Sequence, residues 1–185
     1  MWTRDANAGA YPTELQQPVV LRNGASVLVR PIRPDDEPRL TALYSRLSHD
    51  TAYQRFFTWW KKLPPAWARA FANVDYRGRL ALVAEPYGGT GSALVGVARY
   101  EPSGDTATAE IALVIQDDWQ GVGLGAVLLD RLLDAAAARG LATFVAYVLS
   151  GNRRMLRLLH AHTAILSQAT ERGVTEIRFA RRSAP

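Results

Sequence analysis

The chain has 185 residues, 48% hydrophobic and 21% charged, the balance of a single soluble globular domain with a sizeable core. There is no cysteine, so disulfides, thiolate metal sites and a cysteine nucleophile are excluded, and a cytoplasmic home is the expectation. The formal charge is +5, and of the 22 basic residues only Lys61 and Lys62 are lysines. Arginine offers a planar fork that suits phosphate oxygens, so the composition points to an anionic partner.

Residues 1–18 are polar and aperiodic and read as a flexible N-terminal tail, with residues 19–185 as one domain. Val19 to Leu21 and Val27 to Ile32 flank Asn23-Gly24, the dipeptide of a tight hairpin. Pro34-Asp35-Asp36-Glu37 opens a helix, because proline and acids belong in a first turn, and Leu40, Leu43, Tyr44 and Leu47 give it one apolar face. An aromatic segment follows, Tyr53 to Trp60, ended by Pro64-Pro65, and Trp67, Ala70 and Phe71 imply a second helix to about Asn73.

From Leu80 the period changes to that of strands: Leu80 to Ala84, Ala93 to Tyr100 and Thr106 to Ile115. A long helix runs from about Gly123 to Arg139, stopped by Gly140. Thr143 to Leu149 is a strand, Asn152 to His162 a short helix, and Ile165 to Ala169 and Val174 to Ala180 are final strands. A meander followed by β-α-β predicts an α/β fold with a central mixed sheet of about seven strands and about four helices on its faces. No apolar run approaches the ~20 residues that span a bilayer, and the start lacks the basic flank and apolar stretch of a secretory signal.

The chemistry concentrates in Gln120-Gly121-Val122-Gly123-Leu124-Gly125-Ala126, between a strand and a long helix. The first turn of a helix has unpaired N–H groups and a positive dipole end, and glycines let a pyrophosphate lie against them. A glycine turn that merely packs helix on strand is the plainer reading. Gly121, Gly123 and Ala126 also fit the dinucleotide pattern, but the turn does not follow its strand at once, and the next strand has no acid for a ribose. A P-loop fails for want of a Lys-Ser/Thr pair. No acidic residue stands between Asp134 and Glu171, while Arg139, Arg153, Arg154 and Arg157 fall in that window, a local field suited to a phosphorylated ligand.

Gln120 to Gly125 resembles the Q/R-x-x-G-x-G/A motif of the GNAT superfamily of acyl-CoA-dependent N-acyltransferases, and the order of elements from about Val19 to Leu159 is similar to that fold. Asn152-Arg153-Arg154-Met155 resembles the start of the family's last helix, and Tyr53-Gln54-Arg55-Phe56-Phe57 a signature of the bacterial protein-lysine acetyltransferase branch. The resemblance implies acetyl-CoA as co-substrate and no metal. It implies that Leu113, Val114 and Ile115 hold the pantetheine arm, with the Val114 N–H on the thioester oxygen. It places the pyrophosphate on Gly121, Val122, Gly123, Leu124, Gly125 and Ala126 after Gln120, and Asn152 on the arm's other side.

A lysine amine, with a reference pKa near ~10.4, must lose a proton to attack, and Glu110 is the candidate base, where several family members carry a glutamate. The family's tyrosine acid on the last helix is missing from Leu156 to His162, which leaves His160 and His162 as unassigned replacements, and Thr163-Ala164 stands where Gly-Phe is usual. In the family the region of Trp59-Trp60-Lys61-Lys62 forms the acceptor wall. The resemblance thus implies acetyl transfer to a primary amine, a protein lysine favoured, by direct attack in a ternary complex. A small-molecule amine acetyltransferase and a non-catalytic acyl-CoA-binding module are the alternatives. No nucleic-acid signature accompanies the arginines, and monomer and homodimer stay open.

Overall fold

The computed structural model describes residues 9–88, 93–103 and 105–182. Eight strands form one sheet in the order β1-β2-β3-β4-β5-β6-β8-β7: β1 Gln17–Val20, β2 Ser26–Pro31, β3 Leu80–Pro86, β4 Gly96–Ser103, β5 Asp105–Ile115, β6 Thr143–Leu149, β7 Thr163–Glu171 and β8 Val174–Arg181. Only β5 and β6 pair in parallel; every other neighbour is antiparallel. The mixed sheet agrees with expectation, at eight strands rather than about seven, because every strand segment named in the sequence, the Asn23-Gly24 hairpin pair included, joins the one sheet.

Among the described residues five α-helices cover the sheet: α1 Glu37–Ser45, α2 His49–Phe56, α3 Pro65–Ala72, α4 Leu124–Ala137 and α5 Arg153–His162. The extra helix is α2, which begins before the aromatic segment and ends inside it at Phe56. Ser48 caps it by accepting from the Thr51 N–H at 3.2 Å, a start signal set in a stretch whose apolar spacing had suggested no helix of its own.

Alternation along the inner strands divides the core into two. Leu80, Leu82 and Ala84 join α4 and α5 on one face, through Leu128, Leu129, Leu132, Leu133 and Leu159. Ala81 and Val83 join α1, α2 and α3 on the other, through Leu40, Leu43, Ala52 and Ala72. With both faces covered, β3 reads as a continuous apolar run rather than an alternation. Each fully buried leucine of α4 contributes roughly 1.5–3 kcal/mol, which fixes that helix on the sheet and with it the turn that precedes it.

Of the expected tail, residues 1–8 lie outside those described, and residues 9–18 are held against the domain. The Gly9 N–H donates to Asp75 O at 2.8 Å, and the Tyr11 hydroxyl donates to Pro31 O at 3.0 Å with its ring edge-on to Tyr76. Gln17 and Pro18 already belong to β1, so aperiodicity concealed a segment held by tertiary contacts. No described helix is long and apolar enough to cross a membrane.

Candidate active site

The parallel pairing of β5 and β6 is brief. It runs from Thr108 opposite Thr143 to Glu110 opposite Val145 and stops. Beyond that point β5 stays paired to β4 through Ile115, while β6 leaves with β8. The edge of β5 from Ile111 to Ile115 therefore faces β6 without a ladder, and its peptide groups need another partner. A cleft of about 590 Å³ fills the fork, lined by Glu110, Leu113, Val114, Ile115, Gln120, Gly121, Gly123, Gly125, Ala126 and Asn152 among others.

The glycine turn closes one end. Gly121 and Gly123 have φ of 79° and 97°, the left-handed region that a side chain strains, and no side chain caps α4. The first amides of α4 therefore stand uncapped at the cleft, with the positive end of the helix dipole behind them. Val122 and Leu124, expected with the cofactor, pack their side chains on the core and are not among the residues that line the cleft. Gln120 is engaged in holding the fork: its amide donates to Ile115 O at 2.9 Å and to the Thr51 hydroxyl at 3.3 Å, joining the turn to β5 and α2. Asn152 caps α5, accepting from the Met155 N–H at 3.1 Å and keeping its own amide donors for the cleft.

Residues 26–162 match the family model for the acetyltransferase (GNAT) domain. The chain belongs to the GNAT acetyltransferase family. It is 34% identical over 135 residues to an acetyltransferase of Pseudomonas aeruginosa, covering 73% of each chain. It is 32% identical over 143 residues to the acetyltransferase Pat of Mycolicibacterium smegmatis, covering 77% of this chain and 42% of Pat. The GNAT domain of Streptomyces lividans PAT superposes with a TM-score of 0.82 at 30% identity, covering 92% of this chain and 99% of that domain. The protein is an acetyl-CoA-dependent N-acyltransferase with acetyl-CoA as co-substrate, and among its described residues no His, Asp or Glu cluster forms a metal site.

The site of this acetyltransferase fits that co-substrate. The uncapped α4 amides suit a pyrophosphate, and the unladdered β5 edge suits the peptide-like pantetheine arm. One residue at the glycine turn was not legible in the sequence. Arg22, in the β1–β2 turn, donates its N–H to Val122 O at 3.2 Å, and a Cβ placed on Gly123 would lie 3.1 Å from its Nε. Its exposed guanidinium thus hangs over the glycine turn from a hairpin a hundred residues earlier. Arg154 and Arg157 line the cleft as the charge window implied, whereas Arg139 does not: it donates to Tyr76 O and Ala135 O behind α4.

At the other end of the cleft the chain turns sharply after α2. Phe57 ends that helix with φ of 56°, a conformation costing a bulky residue about 1–2 kcal/mol. The turn sends Trp59 and Trp60 toward the mouth. Phe57 and Trp67 line it at 39% and 48% exposed, Tyr53 and Trp59 are 43% and 49% exposed against His49 outside its lining, and Trp60 and Phe56 pack on Tyr44. Glu110 stands exposed at the fork, directly opposite Glu101 of β4. On α5, Leu159 is buried in the core, His160 reaches Gln168 away from the cleft, and His162 lines the cleft with Nδ1 3.1 Å from Asp130.

Proposed function

We propose that this acetyltransferase transfers acetyl to the amine of a protein lysine by direct attack in a ternary complex. Bound acetyl-CoA supplies the thioester carbonyl that the amine nitrogen attacks as the carbon–sulfur bond breaks and coenzyme A leaves as thiolate. Glu110 accepts the proton that the ammonium must shed, directly or through one water, and returns it to solvent. A β5 N–H at the fork, which the family resemblance assigns to Val114, donates to the oxygen that gains negative charge. Gly121 to Ala126 and Asn152 hold the two ends of the donor.

The observation that carries the lysine reading is the rim. Phe57 and Trp67 line the cleft while 39% and 48% exposed, and Tyr53 and Trp59 of the same aromatic segment are 43% and 49% exposed around His49, close in sequence to Lys61 and Lys62, more open aromatic surface than a small acceptor inside the cleft would use. Exposed aromatic clusters of this kind mark protein contacts. The likeness to Pat and to the PAT domain agrees with it.

The test is transfer of labelled acetyl from acetyl-CoA into a desalted cell extract and, separately, into its small-molecule fraction. The enzyme used carries K61R/K62R, which removes every lysine of its own chain. Acid-stable acetyl-lysine in extract protein is the expected result; label confined to the small-molecule fraction would replace the protein acceptor with a metabolite.

A further inference from the structure

At the acceptor end two charged side chains of opposite sign make no hydrogen bond or ion pair within the described chain. One is Glu110; the other is Arg55 of α2, which lines the same cleft. The Arg55 guanidinium lies 4.8 Å from the centre of the Phe56 ring. Phe56 stacks on Phe71 with centroids 6.2 Å apart, and Phe71 in turn has the Arg99 guanidinium 4.4 Å from its centre. Two cations thus share one pair of phenyl rings.

The two cations differ in what answers them. Arg99 is 5% exposed and pairs with Glu101, and its buried Nε is left without a partner. Arg55 has no carboxylate in hydrogen-bond reach. Burial around its guanidinium, then repulsion from Arg99, pull its pKa down to about 10 against the attraction of Glu110 and Glu101. A cavity of about 30 Å³ opens beside both arginines and joins the main cleft through Arg55, Phe56, Ala112 and Val114.

An arginine placed only to neutralise Glu110 would be expected to bond it. Here the ring contact holds the guanidinium with its donors unspent, in the flat fork that grips a carboxylate through two parallel bonds. Glu101 is answered by Arg99, so in the cleft, which Arg154 and Arg157 of α5 line from the other side, α2 and β5 leave one free guanidinium and one free carboxylate. That pair is the complement of a molecule carrying both an amine and a carboxylate.

Resting on the reading that this cleft acetylates an amine, we propose that Arg55 is the anion-binding element of the acceptor site, holding a carboxylate borne by the same acceptor whose amine Glu110 receives. Two sources present that chemistry: an acidic residue flanking an acceptor lysine, and the α-carboxylate of a free amino acid.

Matched acceptors separate them. kcat/KM is measured with wild type, R55Q and R55K on lysine peptides bearing Asp, Ala or Arg beside the lysine, and on free amino acids against their amides. The expected result is a preference of about tenfold or more for the carboxylate member of one set, as a charge-assisted pair would give. The preference collapses toward unity in R55Q and is partly kept in R55K. A preference in the peptide set assigns the flanking acid; one in the free set assigns the α-carboxylate.

Wild-type rates that are equal within every pair overturn the inference and leave amine acetylation standing, whether or not R55Q folds. A uniform fall in R55Q with a displaced pH profile and an unchanged preference assigns Arg55 to Glu110 alone, and also overturns it. No turnover on any acceptor, neutral amides included, overturns the amine reading and the inference together.

Discussion

Glu110 and Val145 are the last residues at which β5 and β6 still pair. The candidate base therefore sits at the apex of the fork, where the ladder holds its backbone and the opened edge begins one residue later. A base at that apex is fixed by strand geometry rather than by a loop, which is what proton transfer to a positioned group requires.

Glu110→Gln keeps shape and hydrogen-bonding size, and its side chain supports no described contact. Turnover near neutral pH is expected to fall about 10²–10⁴-fold, the usual contribution of a positioned base. The acetyl-CoA dissociation constant, measured by calorimetry, should stay within about threefold, since the phosphate and pantetheine contacts lie elsewhere. Retained turnover would remove Glu110 from the mechanism.

Arg22 and Gly123 form the second testable pair. Removing the guanidinium in Arg22→Ala should weaken acetyl-CoA binding about tenfold at low salt, the range of a single charge-assisted contact. The loss should narrow as salt rises. Acetyl-pantetheine lacks the phosphates, so its kcat/KM should fall much less than that of acetyl-CoA. Equal losses for both would mean that Arg22 holds the turn rather than the phosphates.

Much of this arrangement was legible in the residues, and the limits have physical causes. The Asn23-Gly24 hairpin, the strand period from Leu80 and the glycines before α4 are local signals, and the structure places them as read. The fork is a tertiary property: nothing in Ile111 to Ile115 or Val145 to Leu149 announces that the ladder ends between them, and only the family resemblance implied it. Val122 and Leu124 were grouped with the cofactor by motif, yet turn and helix phase aim their side chains at the core. Arg22 escaped because the glycine turn it overhangs lies far away in sequence, and arginine at an exposed turn is common enough to carry no signal alone; Arg55 stood inside the Tyr53 to Phe57 signature, but nothing local showed that its guanidinium lines the cleft. The helix α2 was missed because it is short and its aromatic residues face both the core and the mouth.

Arg30 and Asp36 make the buried link that fixes β2 to the start of α1, at 2.7 and 2.8 Å with 2% and 1% of their side chains exposed. Burial pushes the Asp36 carboxyl upward. The Arg30 bonds, the Arg33 amide at 2.8 Å and nearby Arg39 outweigh it and hold the group below the ordinary carboxylate range. Glu85 is lowered in the same way, its burial outweighed by Arg30 and Arg39. A carboxylate with a lowered folded pKa contributes stability that is fully present above its unfolded value of about 4 and is lost as pH falls through the folded value.

Asp36→Asn strands a buried guanidinium and should destabilise the fold by about 3–5 kcal/mol at pH 7 in urea titrations. The gap between wild type and variant should shrink as pH falls below about 4, where the unfolded wild-type chain takes up the Asp36 proton before the folded one does, and the variant has nothing to protonate. A gap that stays constant to pH 2.5 would show that the pair's ionisation contributes nothing.

Trp59 offers the sharpest test of the rim. It is 49% exposed, its ring lies 5.3 Å from that of His49, and unlike Phe57, Trp60 and Trp67 it does not line the cleft. An acceptor held wholly inside the fork has no reason to touch it, whereas a protein surface lying across the mouth meets it early. Truncation of an aromatic anchor at a protein contact costs about 1–2 kcal/mol or more, or roughly tenfold and upward in affinity. For Trp59→Ala, kcat/KM on a folded protein acceptor should therefore fall about tenfold further than kcat/KM on a short amine, with the difference in KM rather than kcat. The fold should survive, because an exposed side chain away from the core shifts stability by only about 0.5 kcal/mol. Identical changes on both acceptors would place the acceptor inside the cleft and remove the rim from recognition.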